Sequence, residues 1–266
     1  MEYILETNKL TKKYGKHLAV DGVDMHIQKG DIYGFIGKNG AGKTTLMKMI
    51  CGLIKPASGS FTLFGLKDAN QARKKIGSLI ESPALFPQMT VKENLTYYAR
   101  LKNVSDQKAE ELLQLVGLGT GAESKKASNL SMGMKQRLSI AIALMNDPEF
   151  LILDEPINGL DPEGIMEVRQ LLVKLNKEQN ITILISSHIL GELEKMATRY
   201  GMIRDGKLIR EFEASELTDT STGKIIIEAA DYEKACHVLE ENGISITRSY
   251  DQKENIEQYF MEMIGE

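Results

Sequence analysis

Residues 37–44 read GKNGAGKT. The pattern is G-x-x-x-x-G-K-[ST], set between two stretches of different character. Before it, GDIYGFIG (30–37) is a short apolar run of the kind that forms a buried strand. After it, GKTTLMKMICGLI (42–54) has a helical pattern, which KPASG ends with proline and glycine. Glycines at such a strand-to-helix turn let the backbone wrap closely around an anion. The N–H groups and the helix N-terminus supply partial positive charge. The reading is therefore a phosphate site built from Gly37, Lys38, Asn39, Gly40, Ala41, Gly42, Lys43, Thr44 and Thr45. Lys43 is expected to reach the β- and γ-phosphates of a nucleoside triphosphate, and Thr44 to ligate Mg²⁺.

Working outward, FLILDE (150–155) is a buried run in which charge appears only at the end. It resembles a Walker B strand, with Asp154 holding Mg²⁺ through water and Glu155 orienting the attacking water. EGIMEVRQLLVKLNKEQ (163–179) is an amphipathic helix, ITILISSH (181–188) another buried strand, and YGMIRDGKLI (200–209) a hairpin turning at Asp205-Gly206. Apolar strands alternating with helices imply a largely parallel sheet covered on both faces. Ahead of the loop, YILETNKL (3–10) and HLAVDGVDMHI (17–27) read as β structure around a Lys-Tyr-Gly turn, and SGSFTLFGL (58–66) as a further strand. From about 72 to 146 the patterns are mostly helical. After about 214 a polar stretch, ELTDTSTG, leads into a small α+β appendage. Its elements are KIIIEA and ISITRSY as strands, DYEKACHVLEEN as a helix, and a final stripe of Ile256, Tyr259, Phe260, Met263 and Ile264.

Composition narrows the function classes. The chain has 266 residues, 42% hydrophobic and 26% charged, with a formal net charge of −4. That balance gives no general basic surface, and no nucleic-acid partner is expected. Cys51 and Cys236 lie far apart, which argues against a disulfide framework or zinc site and fits a reducing compartment. There is no long apolar leader and no apolar run of membrane-spanning length, so a membrane role is expected to need a partner chain.

NLSMGMKQRL (129–138) decides among triphosphatases. It resembles the LSGGQ-type signature of ABC ATPases, with Leu130, Ser131 and Gly133 in place. Met132 and Met134 depart from the pattern. The resemblance covers roughly residues 3–213. It implies an α/β P-loop NTPase fold: a RecA-like core, an antiparallel β subdomain and a helical subdomain. The domains are then an ATPase domain over 1–214, its helical part about 72–146, and an appendage over 215–266. The resemblance also implies ATP as ligand, Tyr14 of KKYG stacking on adenine, Asp161 of NGLD as the D-loop aspartate, and His188 of ISSH as the switch histidine near the γ-phosphate. Ser131 and Gly133 then act in trans, in a head-to-tail dimer with the same or a related subunit. A separate transmembrane permease and a place at the cytoplasmic face of the membrane follow from the same resemblance.

One position is unusual. In IGSLIESPALFP (76–87), Glu81 stands where the family carries the Q-loop glutamine that joins the nucleotide site to the permease. The exchange is similar to that in ATP-binding subunits for lantibiotic self-protection, close to bacitracin-type exporters. A carboxylate there can ligate Mg²⁺ or position water, though it cannot donate as an amide does; the expectation is that Glu81 is a further Mg²⁺ ligand, the ion standing between it and the phosphates. The expected function is ATP hydrolysis for antimicrobial-peptide export. Export of another lipophilic drug or ion, or a soluble ABC ATPase acting on nucleic acid or ribosomes, are the alternatives.

Overall fold

Two sheets carry the first 214 residues. The computed structural model describes residues 2–66, 68–81, 85–119, 121–188, 190–218 and 232–241. β1 (Tyr3–Tyr14) is the centre of an antiparallel sheet and pairs with β2 (His17–Val23), β3 (His26–Gln28) and β5 (Ser58–Leu63). The second sheet contains β4 (Ile32–Ile36), β6 (Ile76–Leu79), β7 (Phe150–Asp154), β8 (Thr182–Ser187), β9 (Arg199–Arg204) and β10 (Lys207–Glu213), in the order β10-β9-β4-β8-β7-β6. All its neighbours are parallel except the β9–β10 hairpin. β4, β7 and β8 are buried along their whole length, as expected of parallel strands covered on both faces.

α1 (Lys43–Ile50) contacts β2 and β7 and lies in the core that joins the sheets. Leu46, Met47, Met49 and Ile50 share that core with Leu5, Val20, Phe35, Phe150 and Leu184. Fully burying side chains of this size stabilises the fold by about 1.5–3 kcal/mol each. α2 (Ala69–Arg73) follows β5. Residues 74–81 depart from the helical segment expected from about 72, because Ile76–Leu79 forms β6 beside β7. A Cβ at Gly77 of that strand would lie 2.4 Å from the Ala143 carbonyl, so glycine there admits the neighbouring helix.

The helical segment proper contains α3 (Val91–Leu101), α4 (Asp106–Leu115) and α5 (Met132–Ala143), which pack on one another. Thr90 and Glu93 form a reciprocal capping box at α3, Ser105 caps α4 and Ser131 caps α5. α6 (Pro162–Gln179) opens with Asp161 as cap and Pro162 in its first turn, and ends on the left-handed Asn180. α7 (Leu190–Leu193) is short. Tyr14 ends β1 rather than standing in a turn: it pairs with His17, and the turn falls on Gly15, whose φ is 58°.

The chain divides into two compact units, Met1–Ala214 and Ser215–Glu266. The first part of the expected polar stretch is helical, as α8 (Ala214–Thr218). α9 (Tyr232–Glu241) occupies the DYEKACHVLEEN segment. KIIIEA, ISITRSY and the stripe Ile256 to Ile264 lie outside the described residues.

Asn94 organises the entry to the helical segment. It is fully buried; its Oδ1 accepts the Phe86 N–H at 2.8 Å, and its Nδ2 donates to the carbonyls of Phe86, Met89 and Thr90 at 3.1, 3.2 and 2.9 Å. The turn it shapes bonds to the residues preceding Ser131, through Val91 N–H to Lys125 O, Ala127 N–H to Met89 O and Ser128 N–H to Pro87 O. Asn94→Leu is predicted to lower stability by about 2–3 kcal/mol, because it strands several polar groups. A urea titration against the wild type measures it, and a change within error would contradict this account.

Candidate active site

The phosphate-binding motif starts where β4 ends, and its backbone is sterically committed. A Cβ at Gly37 would lie 2.5 Å from the Ile203 carbonyl, and one at Gly42 would lie 2.3 Å from that of Ala19. Gly42 has φ 111° and forms the N-cap of α1 with no side-chain partner, so the first N–H groups of α1 are left to a ligand. The β9–β10 turn braces the loop from behind, with Gly206 N–H donating to Ala41 O at 3.0 Å and Asp21 N–H to Gly206 O at 2.8 Å. Asp205 and Gly206 both have positive φ, which suits a tight hairpin whose second residue must approach another chain segment.

Lys43 is 5% exposed, and its ammonium donates to Gly37 O at 2.6 Å and Lys38 O at 3.3 Å. Thr44 Oγ1 donates to Asp154 Oδ2 at 2.6 Å. The other Asp154 oxygen accepts from Ser186 Oγ at 2.7 Å, and that same hydroxyl accepts the Glu155 N–H at 2.9 Å. His188 Nδ1 donates to Glu155 Oε2 at 2.7 Å. Glu155 Oε1 is buried and makes no hydrogen bond, although the Lys43 ammonium lies 3.4 Å away and attracts it. Glu155 has φ 49°, a left-handed backbone that L-residues adopt at a cost. The turn aims its carboxylate back toward Lys43. Thus Lys43, Thr44, Asp154, Glu155 and His188, scattered over 146 positions, converge at the carboxyl ends of β4, β7 and β8. Lys38, Asn39 and Gly40 are exposed along the loop rim, Ala41 is buried and Thr45 is half-buried. Tyr14 is 49% exposed, with the Lys12 ammonium 5.3 Å from its ring centroid.

Thr44 and Asp154 present a hydroxyl and a carboxylate at hydrogen-bond distance beside the phosphate loop. Hard oxygens in that number suit Mg²⁺, which keeps few protein ligands and fills its octahedron with phosphate and water oxygens. Among the described residues no group of three or more His, Cys, Asp or Glu could hold a metal without such help.

Ser131, Gly133 and Asp161 form a second group, at the starts of α5 and α6. Ser131 Oγ accepts the Met134 N–H at 3.2 Å, and Asp161 Oδ1 accepts the Gly164 N–H at 3.1 Å. Gly133 is buried against Gly164, and a Cβ on it would stand 3.3 Å from the Gly164 Cα. The described hydrogen bonds of Ser131 and Asp161 stay within their own helix ends. The Glu81 carboxylate is paired with the Lys48 ammonium, from a backbone with φ 66°. Pro83, next in that loop, lies outside the described residues.

Sequence reasoning missed Ser186, Lys48, Asn94 and Gly164. Ser186 had a faint signal, a hydroxyl near the end of a fully buried strand. The others had none: Lys48 and Gly164 meet partners distant in sequence, and the Asn94 bonds to Phe86, Met89 and Thr90 follow no motif or period.

Residues 20–158 match the family model described as ABC transporter. The chain is 42% identical to the bacitracin transport ATP-binding protein BcrA of Enterococcus faecalis, across 100% of this chain and 97% of that one. It is likewise 42% identical to the lantibiotic transport ATP-binding protein SrtF of Streptococcus pyogenes, across 85% of this chain and 99% of the other. The solved post-hydrolysis dimer of the ATP-binding cassette MJ0796, bound to ADP and Pi, matches with a TM-score of 0.68 at 28% identity, covering 79% of this chain and 98% of that one.

The loop geometry separates two glycines. Gly40 has φ 82° but open space around its Cα, whereas Gly42 faces a backbone carbonyl. Gly40→Ala is predicted to cost about 1–2 kcal/mol, the left-handed penalty alone, and Gly42→Ala clearly more. Unfolding of the two variants side by side checks the order, and equal losses would refute it.

Proposed function

We propose that this chain, which belongs to the ABC transporter family, is the ATP-hydrolysing subunit of an exporter protecting its host from a bacitracin-like or lantibiotic peptide. Nucleotide binding and ATP hydrolysis follow from the family. The choice of peptide cargo rests on full-length similarity to the bacitracin transport ATP-binding protein and on Glu81, while the cargo itself need never touch this subunit.

One observation carries the chemistry: Glu155 is held by His188 through one oxygen, while its other oxygen, buried and without a hydrogen bond, faces the Lys43 ammonium at 3.4 Å and becomes an acceptor for water once Lys43 turns to the phosphates. A water bound there is oriented for in-line attack on the γ-phosphate, and Glu155 takes up its proton. His188 fixes the carboxylate and, in this reading, also meets the γ-phosphate. Lys43 and the loop N–H groups from Lys38 to Thr45 hold the β- and γ-phosphates, and Tyr14 offers an exposed ring to adenine. Thr44 and Asp154 would hold Mg²⁺, which when bound screens phosphate charge and fixes phosphate orientation. Ser186 positions both Asp154 and the backbone of Glu155.

The helix-start group of Ser131, Gly133 and Asp161 serves a nucleotide held by a second copy or related subunit in a head-to-tail dimer. Support comes from the hydrogen bonds of Ser131 and Asp161, which stay within their own helix ends, and from the dimeric MJ0796 cassette. No helix among the described residues is long and apolar enough to cross a membrane. Transport in this reading uses a separate permease, with the ATPase at the cytoplasmic face.

Glu155→Gln is predicted to keep ATP binding but lower turnover by about 10²-fold or more, and to accumulate an ATP-bound dimer. Turnover near the wild-type level in the purified complex removes Glu155 from this role. A mixed dimer of Lys43→Ala and Ser131→Arg chains retains one intact composite site and one doubly damaged site. It is predicted to hydrolyse ATP faster than either parent homodimer; equal inactivity of all three would count against action in trans by independent sites.

A further inference from the structure

Three side chains of α1 meet three carboxylates. Lys43 faces Glu155 at 3.4 Å, Thr44 donates to Asp154 at 2.6 Å, and Lys48 pairs with Glu81. Thr44 and Lys48 are four residues apart, hence on the same face of the helix, one turn apart. Asp154 and Glu155 close β7, and Glu81 follows β6, whose Leu79 is in register with Leu153. Two neighbouring parallel strands therefore deliver their terminal acids to one helix, the helix that begins at the phosphate loop.

The arrangement bears on why a carboxylate is admitted at position 81. An unpaired acid at this strand end would add negative charge on the face of α1 that carries Thr44, in the turn next to the phosphate loop. Lys48 supplies the opposite charge. Glu81 is 64% exposed, so screening by solvent keeps the pair's contribution to global stability small. Its consequence is for the local field and for the placement of the loop.

We propose that Lys48 is the counter-charge that makes Glu81 admissible, and that Glu81 acts through Lys48 as a positioning residue, tying the loop after β6 to α1, rather than as a metal ligand. The proposal rests on the reading of residues 37–45 as the triphosphate site.

The test is ATP titration of the full-length chain at fixed ionic strength, once with Mg²⁺ and once with excess chelator, with thermal unfolding of each protein recorded in parallel. The proteins are the wild type, Lys48→Met, Glu81→Gln, the double variant and Lys48→Arg, with Lys48→Gln in reserve should Lys48→Met fail to fold. Lys48→Met is expected to weaken ATP binding roughly three- to tenfold, and more at low salt, because it leaves Glu81 uncompensated. Glu81→Gln in that background is expected to restore most of the loss, and Lys48→Arg to bind like the wild type. Glu81→Gln alone is expected to shift affinity by the same factor with and without Mg²⁺. Additive effects of the two substitutions would overturn the proposal. So would a Glu81→Gln loss confined to Mg·ATP, which would make the residue a metal ligand. Failure of the wild type to bind ATP would instead bring down the functional reading beneath it, a result distinct from absent coupling.

Discussion

A buried ammonium is the constraint around which the site is built. Lys43 is almost wholly removed from water, and an isolated charge in that position would be very costly. The Gly37 and Lys38 carbonyls and the Glu155 carboxylate compensate it. Those carbonyls can point inward only because the loop glycines turn the chain where a Cβ would strike Ile203 or Ala19. Glu155 can face the ammonium only because its backbone takes the left-handed turn after β7. Loop, strand end and helix start are therefore mutually dependent, and displacing one leaves the charge unmatched.

The same constraint separates two kinds of side-chain group. The acids at the end of β7 are immobilised before any substrate arrives: Asp154 by Thr44 and Ser186, and Glu155 by Ser186 and His188. Pre-set groups need little rearrangement at the moment of reaction, which is where electrostatic catalysis draws its advantage. The groups at the starts of α5 and α6 are organised differently. Their side chains cap their own helices, and Gly133 and Gly164 bring the two helix starts into close contact. A polar edge that is rigid and locally satisfied suits recognition of something presented from outside the chain, as the proposed dimer requires.

Asn94 links these regions mechanically. It shapes the stretch that begins just beyond the Glu81 loop, and that stretch is bonded to the residues preceding Ser131. Residues 87–91 and the residues preceding Ser131 are thus connected by backbone hydrogen bonds.

The sequence alone determined what is local. A strand, a glycine-rich turn and a helix are contiguous from 30 to 54, so their chemistry could be read in order, and the apolar run ending in Asp154 and Glu155 announced acids at a strand end. The Asp205-Gly206 turn was legible for the same reason, since its φ angles restrict which residues fit. What only the tertiary structure decided is which strand ends lie side by side. Ser186 meets Asp154 across 32 positions, and Lys48 meets Glu81 across 33. Neither pairing leaves a periodic trace. β6 shows the same limit: its few residues between helical patterns become a strand because β7 offers a parallel edge and Gly77 leaves room for α5. Hydrophobic period and turn chemistry are carried by neighbours along the chain. Register, and with it the partner of each charge, is set by packing between segments that the sequence keeps far apart.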